Sequence, residues 1–229
     1  MIDKRNFYIN GEWVAPKDGT DFPVYNPATE EPYATISLGG VGDAEAAIAA
    51  ARGAFASWSM TTPAQRSELL KSIVEVYKAR TVEMAEAISN EMGAPIDMSL
   101  ADQAASGTGH LKAFIRSLDK FEWQHPLRPG MEGQDLVYEA AGVAALITPW
   151  NWPMNQVALK VGAALAAGCT MVLKPSEIAP MSSIVFADIM HEAGVPAGVF
   201  NMVNGDGGGV GSILSAHPDI DVVSFTGST

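Results

Sequence analysis

Residues 142–177 have the sequence GVAALITPWNWPMNQVALKVGAALAAGCTMVLKPSE, in which two apolar strands flank one helix. The first strand, residues 143–147, is apolar at every position, as is typical of a parallel strand that helices cover on both faces. The helix is predicted over residues 153–167, because a proline stands at its start and Gly168 lies just past its end. Residues 170–173 form the second strand. This order predicts a β-α-β unit with parallel strands.

The same alternation continues towards residue 229. Helices are predicted over residues 182–193 and 210–216, and strands over residues 199–203 and 222–225. Strands and helices that alternate at these lengths predict an α/β fold with a Rossmann-like, doubly wound parallel sheet. In such a sheet, ligands bind beyond the carboxyl ends of the strands.

Residues 1–119 predict a β-rich lead-in that is followed by helices. The dipeptide Asn10-Gly11 separates two short strand patterns and is a strong signal for a two-residue hairpin. Asp43 is predicted to be the N-cap of a first helix, and residues 62–65 to be a capping box at the start of a second. A further long helix is predicted over residues 96–118.

Residues 120–141 interrupt this pattern, because they contain the helix breakers Pro126, Pro129, Gly130 and Gly133. A strand is predicted over residues 136–140. We therefore expect residues 120–141 to form an exposed β-excursion between two parts of one domain, residues 1–119 and residues 142–229.

The composition excludes several classes of function. The chain has 229 residues and a net charge of −12, and it has no run of lysine or arginine, so nucleic acid is not an expected partner. An apolar stretch of about 18 residues is absent, and the first residues have no apolar signal core. These features predict a cytoplasmic protein without a membrane partner.

The cysteine and histidine content argues against a metal site. Cys169 is the only cysteine in the chain, and it stands at the entrance to an apolar strand. We expect it to be a small buried side chain and not a reactive thiol. The histidines are too far apart along the chain to form a metal-binding motif.

The candidate ligand site consists of the loops that follow the four predicted strands. These loops are rich in polar residues and glycine, and they comprise residues 148–151, 174–177, 204–211 and 226–228. Because parallel strands end at the same edge of a sheet, the loops are expected to converge. Together they are suited to a long ligand with phosphates and sugar hydroxyls.

Two side chains after the second strand suit a ribose. An ammonium at Lys174 and a carboxylate at Glu177 match the two ribose hydroxyls, and the carboxylate repels a 2′-phosphate, which favours NAD over NADP. The alternative from these residues alone is a surface salt bridge at a strand exit.

Two further features are ambiguous by themselves. Residues 205–211 resemble a phosphate-binding loop that leads into a helix, but they match neither the dinucleotide fingerprint nor a Walker loop, and a flexible turn is the alternative. The side-chain amide of Asn151 is suited to donate to a developing oxyanion, whereas the alternative is a helix-capping asparagine.

Several segments in register resemble the signature segments of the aldehyde dehydrogenase superfamily. The match comprises residues 147–153, 167–177 and 225–229, and residues 7–14 and 25–29 are similar to the N-terminal part of that family. The order of the segments and the gaps between them agree, and together they extend over almost the whole chain. The resemblance implies an NAD(P)-dependent enzyme that oxidises an aldehyde to a carboxylic acid.

This resemblance implies a role for each residue at the strand exits. The implied cofactor-binding residues are Ile147, Thr148, Pro149 and Trp150 beside the nicotinamide, Lys174 and Glu177 at the adenosine ribose, Gly207, Gly211 and Ser212 near the adenine and diphosphate, Phe225, Gly227 and Ser228 near the pyrophosphate, and Ser176 and Thr226 in the same loops. The implied catalytic residues are Asn151, as an oxyanion donor, and Lys160, in a proton path. Trp152 is implied to line the aldehyde tunnel.

The family's chemistry needs two residues that the matched segments do not contain. A cysteine thiolate attacks the aldehyde, and a glutamate later activates water. Both are expected beyond Thr229, and Cys169 is not in the position of that nucleophile. The resemblance thus implies that the chain is an incomplete dinucleotide-binding domain without a catalytic domain, and that it is inactive by itself. It also implies that residues 120–141 are the oligomerisation flap of a full-length homo-oligomer, either a dimer or a tetramer. The alternative is a non-catalytic dinucleotide-binding or structural module.

Overall fold

The computed structural model describes residues 1–130 and 133–228 of the chain. The strands of the described part are β1 (Ile2–Lys4), β2 (Phe7–Ile9), β3 (Glu12–Val14), β4 (Thr20–Asn26), β5 (Glu31–Leu38), β6 (Gln124–Pro126), β7 (Asp135–Val137), β8 (Val143–Ile147), β9 (Thr170–Lys174), β10 (Phe200–Met202) and β11 (Val222–Phe225). The α-helices are α1 (Val41–Trp58), α2 (Pro63–Ala79), α3 (Thr81–Met92), α4 (Ile96–Met98), α5 (Ala105–Leu118), α6 (Pro153–Ala167), α7 (Met181–Glu192) and α8 (Ser212–Ala216). Two π-helical turns are also present, at Ser99–Ala104 and Gly207–Gly211.

The main sheet has six strands in the order β11-β8-β9-β10-β2-β3. The four strands β8 to β11 are parallel to one another, which confirms the predicted parallel core. The chain passes from β8 through β9 to β10 and then returns to place β11 on the other side of β8. The strand order therefore reverses between β8 and β11, and a doubly wound sheet opens a ligand crevice at such a point.

Helices cover both faces of this sheet, as the apolar strands predict. Val143 and Ala145 of β8 pack in a cluster with residues of α1, while Ala144 and Leu146 pack in a second cluster with residues of α6 and α7. Because successive side chains of a strand point to opposite faces, each strand contributes to both clusters. The core thus holds the carboxyl ends of β8 and β9 in a fixed position.

The N-terminal strands divide between two sheets. The predicted hairpin at Asn10-Gly11 is confirmed, with φ angles of 54° and 82° at the two turn residues. Its first strand, β2, pairs antiparallel with β10, so that Tyr8 lies opposite Met202, and β3 forms the edge of the main sheet. Strands β1, β5 and β4 form a separate three-stranded sheet. The lead-in is therefore partly an extension of the main sheet.

The prediction for the start of α1 is wrong, whereas that for α2 is confirmed. Gly40 is the N-cap of α1, and Asp43 lies inside the first turn. Its buried carboxylate accepts hydrogen bonds from the backbone N–H groups of Lys17, Asp18 and Gly40, and so it fastens the preceding loop to the helix. In α2, Thr62 caps the helix and forms the expected capping box with Gln65.

The segment between these helices and the main sheet differs in detail from the prediction. The helix expected over residues 96–118 is continuous, but it is wound as a π-helical turn at Ser99–Ala104. Strands β6 and β7 form the expected β-excursion as an antiparallel hairpin, and the second strand covers Asp135–Val137 and not residues 136–140. Met131 and Glu132 of this excursion lie outside the described residues. Among the described residues, no helix combines the length and apolarity that spanning a membrane requires.

Candidate functional site

A cleft of about 510 Å³ lies at the carboxyl ends of β8, β9, β10 and β11. It occupies the point where the strand order reverses, as expected for a doubly wound sheet. All four loops that the sequence singled out contribute to its wall. The lining residues are Ile147, Thr148, Pro149, Trp150, Asn151, Gln156, Lys174, Ser176, Glu177, Gly207, Phe225, Thr226, Gly227 and Ser228.

The loop after β8 supplies an aromatic surface and a polar group to the cleft. Trp150 is 50% exposed although it is a large aromatic residue, and Asn151 beside it is also exposed. Thr148 is buried, and its backbone N–H donates to the carbonyl oxygen of Lys174 at 3.2 Å. Its hydroxyl oxygen has no hydrogen-bond partner among the described residues. The loop therefore presents the ring of Trp150 and the amide of Asn151 to the cleft.

Lys174 ties the end of β9 to the loop after β10. The residue is 3% exposed, and its ammonium donates to the carbonyl oxygens of Gly205 at 2.6 Å and Pro175 at 3.0 Å. The carboxylate of Glu177 lies 3.5 Å from the same ammonium. Burial lowers the pKa of Lys174, and the negative charges of Glu177 and Asp206 act in the opposite direction. Ser176, also buried, accepts a hydrogen bond from the backbone of Ile178.

The glycine run is an ordered helix start and not a flexible turn. Gly207–Gly211 forms a π-helical turn, and the carboxylate of Asp206 caps it by accepting from the N–H of Gly209. Gly207 lines the cleft, whereas Gly211 and Ser212 do not. Gly211 packs beneath the Lys174 side chain, where an added Cβ would lie 3.8 Å from Lys174 Cδ. The hydroxyl of Ser212 donates to the carbonyl oxygen of Gly207 at 3.0 Å.

The loop after β11 closes the other side of the cleft. Phe225 is exposed, and the N–H of Thr226 donates to the carbonyl oxygen of Ile147 at 3.1 Å, which joins this loop to the end of β8. Gly227 and Ser228 complete the wall. Thr229, the last residue of the matching segment, lies outside the described residues.

Two residues predicted for the chemistry lie next to the cleft and not on its wall. The ammonium of Lys160 donates to the hydroxyl of Ser224 at 2.7 Å, and burial lowers the pKa of Lys160. Trp152 is half-buried and immediately precedes α6. Gln156 lines the cleft instead, one helical turn after Trp152. The prediction missed Gln156 because it lies within α6, and the sequence does not show which side chains of that helix face the cleft.

Cys169 is a core residue and is not part of the cleft wall. Cys169 is 6% exposed and packs within the hydrophobic core, as expected of a small buried side chain. Within residues 1–130 and 133–228, no group of three or more histidine, cysteine or acidic side chains is arranged to hold a metal ion.

Comparisons with known proteins agree with this geometry. The 3-succinoylsemialdehyde-pyridine dehydrogenase of a Pseudomonas species is 51% identical over 230 residues, which cover 100% of this chain and 47% of that protein. The crystal structure of an aldehyde dehydrogenase from Bartonella henselae has a TM-score of 0.98 and 55% identity, and the match covers 100% of this chain and 48% of that one. A mutant of aldehyde dehydrogenase C from Pseudomonas syringae, in complex with NAD+ and octanal, has a TM-score of 0.92 and 46% identity over 96% of this chain and 44% of that one.

The chain thus spans about half the length of the relatives that it matches. The sequence profile of the aldehyde dehydrogenase family matches residues 13–229, which include every loop of the cleft. The chain therefore belongs to the aldehyde dehydrogenase family.

Proposed function

We propose that the chain is the NAD-binding half of an aldehyde dehydrogenase that oxidises an aldehyde to a carboxylic acid. The observation that carries this proposal is the convergence of four strand-exit loops on one cleft at the reversal point of the sheet. A relative of known structure binds NAD+ and octanal, and this supports the same ligand classes here.

The residues present fit a dinucleotide. The cleft volume of about 510 Å³ falls within the range of small-molecule sites, roughly 300–1,000 Å³. Trp150 offers a flat apolar surface, and the glycine turn leaves open space at Gly207. Glu177 places a carboxylate on the wall, which favours the ribose hydroxyls of NAD over the 2′-phosphate of NADP.

Each proposed cofactor contact belongs to one part of the cleft. In this proposal, Ile147, Thr148, Pro149 and Trp150 hold the nicotinamide side, Lys174, Ser176 and Glu177 hold the adenosine ribose, Gly207, Gly211 and Ser212 lie near the adenine and diphosphate, and Phe225, Thr226, Gly227 and Ser228 approach the pyrophosphate. Gly211 and Ser212 would act by shaping the glycine turn, since neither lines the cleft. NAD+ supplies the acceptor for the hydride that leaves the substrate.

The chain's own residues would prepare the substrate. Asn151, exposed at the cleft, would donate its amide hydrogen to the substrate oxygen as negative charge develops there. Trp152 would form part of the aldehyde tunnel. Lys160 would take part in a proton path, because its partly desolvated ammonium donates a hydrogen bond to the neutral hydroxyl of Ser224.

We place the nucleophilic cysteine and the general-base glutamate in the part of the polypeptide beyond Thr229. Cys169 is unsuited to the nucleophilic role, because its side chain lies in the hydrophobic core and not in the cleft. The 229-residue chain is therefore expected to bind NAD without oxidising aldehydes. In the whole protein, residues 120–141 would mediate formation of a cytoplasmic homo-oligomer.

Calorimetric titration of the 229-residue chain with NAD+ tests this proposal. Replacement of Lys174 and Glu177 by alanine should weaken NAD+ binding at least about tenfold, a loss of about 1.4 kcal/mol. The matched control is replacement of Glu68 and Lys71, an exposed pair with the same spacing on α2, which should leave the affinity unchanged. If NAD+ did not bind, or bound equally to both double variants, a structural module would be the better description.

A non-catalytic dinucleotide-binding module is the second candidate, and the exclusion of Cys169 from the cleft favours it for the chain alone. A chain that binds NAD+ but forms no NADH from added aldehyde is expected for both candidates, the half enzyme and the non-catalytic module. Recovery of aldehyde oxidation, when the chain is expressed together with a sequence that continues beyond Thr229, would support the first.

A further inference from the structure

The first two turns of α6 have one side that does not contribute to the core. Asn155, Gln156 and Leu159 lie on this side, because they are three or four residues apart within the helix. Asn155 and Gln156 are half-buried, and Leu159 is exposed. Gln156 lines the cleft, so Asn155 lies beside the cleft wall on the same side of the helix.

Asn155 is held in place by His110 of the neighbouring helix α5. The Nε2 atom of His110 lies 2.7 Å from Oδ1 of Asn155. Because an amide oxygen can only accept, the imidazole nitrogen is the donor of this hydrogen bond. The two helices are also in close contact further along, since an added Cβ at Gly162 of α6 would lie 2.7 Å from the ring of Phe114 of α5. The side chain of Asn155 is therefore oriented by a rigid neighbour.

The hydrogen bond to His110 leaves the amide N–H groups of Asn155 free to donate. Among residues 1–130 and 133–228, no group accepts a hydrogen bond from Nδ2 of Asn155. This atom is also not one of the side-chain atoms that are buried without a partner, so it keeps surface that a ligand can reach. An accessible donor with a fixed orientation is suited to a ligand that brings an acceptor.

The surroundings of this pair leave room for an extended ligand. Gly109, next to His110, is exposed, and an added Cβ there would have no heavy atom of another described residue within 4 Å. Leu159, one helical turn after Asn155, is 41% exposed and offers apolar surface. The strip between α5 and α6 thus combines one polar contact with apolar surface.

The charge of the strip favours a neutral ligand group. Among the described residues, no hydrogen bond or ion pair brings a lysine or arginine to His110 or Asn155. The chain as a whole has a net charge of −12, which opposes the approach of a carboxylate. A carbonyl oxygen of a ketone accepts a hydrogen bond without carrying a charge.

The distance from Asn151 limits where this acceptor lies in the ligand. In the proposed function, Asn151 donates to the oxygen of the aldehyde. Helix α6 starts two residues after Asn151, and Asn155 is four residues away, which corresponds to roughly 6 Å along the helix axis. An acceptor that reaches Asn155 is therefore about one helical turn from the aldehyde group.

We propose that Asn155, oriented by His110, selects aldehydes whose chain carries a neutral hydrogen-bond acceptor, such as a ketone oxygen, about one helical turn from the aldehyde group. Asn155 is the residue that determines specificity, and His110 is a positioning residue that acts through it. This inference rests on the proposed function, because it places the aldehyde beside Asn151.

The test compares aldehydes of equal length in the whole protein, which continues beyond Thr229. Formation of NADH from 5-oxohexanal should proceed with a kcat/KM about tenfold higher than from hexanal, which lacks the ketone oxygen. The anionic 5-oxopentanoate should be a poorer substrate than 5-oxohexanal. The product acids give a readout without turnover, since 5-oxohexanoate should bind about tenfold more tightly than hexanoate in calorimetric titrations.

Three substitutions separate selection from folding. Asn155→Leu removes the donor at similar size, and it should abolish the preference for 5-oxohexanal while leaving kcat/KM for hexanal unchanged. His110→Leu should reduce the preference severalfold, whereas His110→Gln, which keeps an N–H donor, should retain most of it. Asn90→Leu is the matched control, because Asn90 lies on α3 and also accepts a hydrogen bond from a neighbouring side chain.

The outcomes distinguish this inference from the proposed function. If the whole protein oxidised neither aldehyde, the proposed function would fail, and this inference would fail with it. Oxidation of hexanal and 5-oxohexanal with equal kcat/KM would overturn the inference alone. A preference for 5-oxopentanoate, or a preference for 5-oxohexanal that survives in Asn155→Leu, would also overturn it.

Discussion

The ammonium of Lys174 lies 3.5 Å from the carboxylate of Glu177 and at the same time donates a 2.6 Å hydrogen bond to the carbonyl oxygen of Gly205. One buried cation thereby connects the end of β9, the acidic residue on the cleft wall and the loop after β10. The position of Glu177 is fixed by this contact. Its negative charge consequently stands on the wall of the cleft where we place the adenosine ribose.

The charge of Glu177 should determine the preference for NAD over NADP. Glu177→Gln keeps the size and one acceptor oxygen but removes the charge that repels a 2′-phosphate. We expect the affinity for NADP+, relative to that for NAD+, to rise by about tenfold, or about 1.4 kcal/mol. Calorimetric titrations with both dinucleotides measure this ratio, with Glu68→Gln as the control at an exposed site on α2. A constant ratio would show that Glu177 does not select the cofactor.

Asp43 should contribute more to stability than an ordinary helix cap. Its carboxylate is 2% exposed and accepts from the backbone of Lys17, Asp18 and Gly40, so Asp43→Ala leaves three donors without their acceptor. We expect a loss of about 3 kcal/mol in the free energy of unfolding, measured with urea. Asp43→Asn keeps one acceptor oxygen and should lose about half as much. Equal stability of wild type and Asp43→Ala would contradict this role.

The parts of the fold that were predicted correctly depend on local signals. The helix α6 is bounded by Pro153 at its start and by Gly168 in a left-handed conformation at its end, and both signals are visible in the sequence. The pairing of β2 with β10 is different, because Tyr8 and Met202 meet only after the intervening chain has folded. The prediction for Asp43 is wrong for a similar reason, because its contacts form only in the folded chain. Two of its hydrogen-bond donors, the N–H groups of Lys17 and Asp18, belong to the preceding loop.

The candidate site shows a similar division. Residues directly after strands, such as Asn151, Lys174 and Glu177, were correctly placed together because parallel strands end at one edge. Gln156 was not found, since its contact with the cleft depends on how α6 is rotated about its axis. Gly211 was expected at the ligand, but it packs beneath Lys174, because the helix begins at Gly207 and turns the later glycine inward.

Gly168 should be intolerant of any side chain. Its φ angle is 80°, and an added Cβ would collide with the guanidinium of Arg66. The left-handed conformation alone costs roughly 1–2 kcal/mol for a residue with a Cβ, so Gly168→Ala should destabilise the protein by about 2 kcal/mol or more. Gly53→Ala is the matched control, since Gly53 lies within α1 and an added Cβ meets no atom. It should stabilise the protein by about 0.5–1 kcal/mol. Loss of stability in both variants would point to a general effect of the methyl group.

Glu91 should make stability fall as the pH rises above the acidic range. The residue is buried on α3, and its carboxylate accepts from the backbone N–H groups of Met181 and Ser182 at the start of α7. Burial raises the pKa of Glu91 from its ordinary 4.5 to about 8, although these hydrogen bonds act in the opposite direction.

Between pH 4.5 and about 8, the folded protein therefore holds a proton on Glu91 that the unfolded chain has released. The state that binds more protons is favoured at low pH, so the contribution of Glu91 is fully present below its unfolded pKa and is lost as the pH rises through its folded pKa. Glu91→Gln cannot titrate, and its amide oxygen still accepts from the helix start. Urea unfolding across this range should show the wild type losing stability relative to Glu91→Gln as the pH increases. Parallel curves for the two proteins would mean that Glu91 keeps the same protonation state whether folded or unfolded.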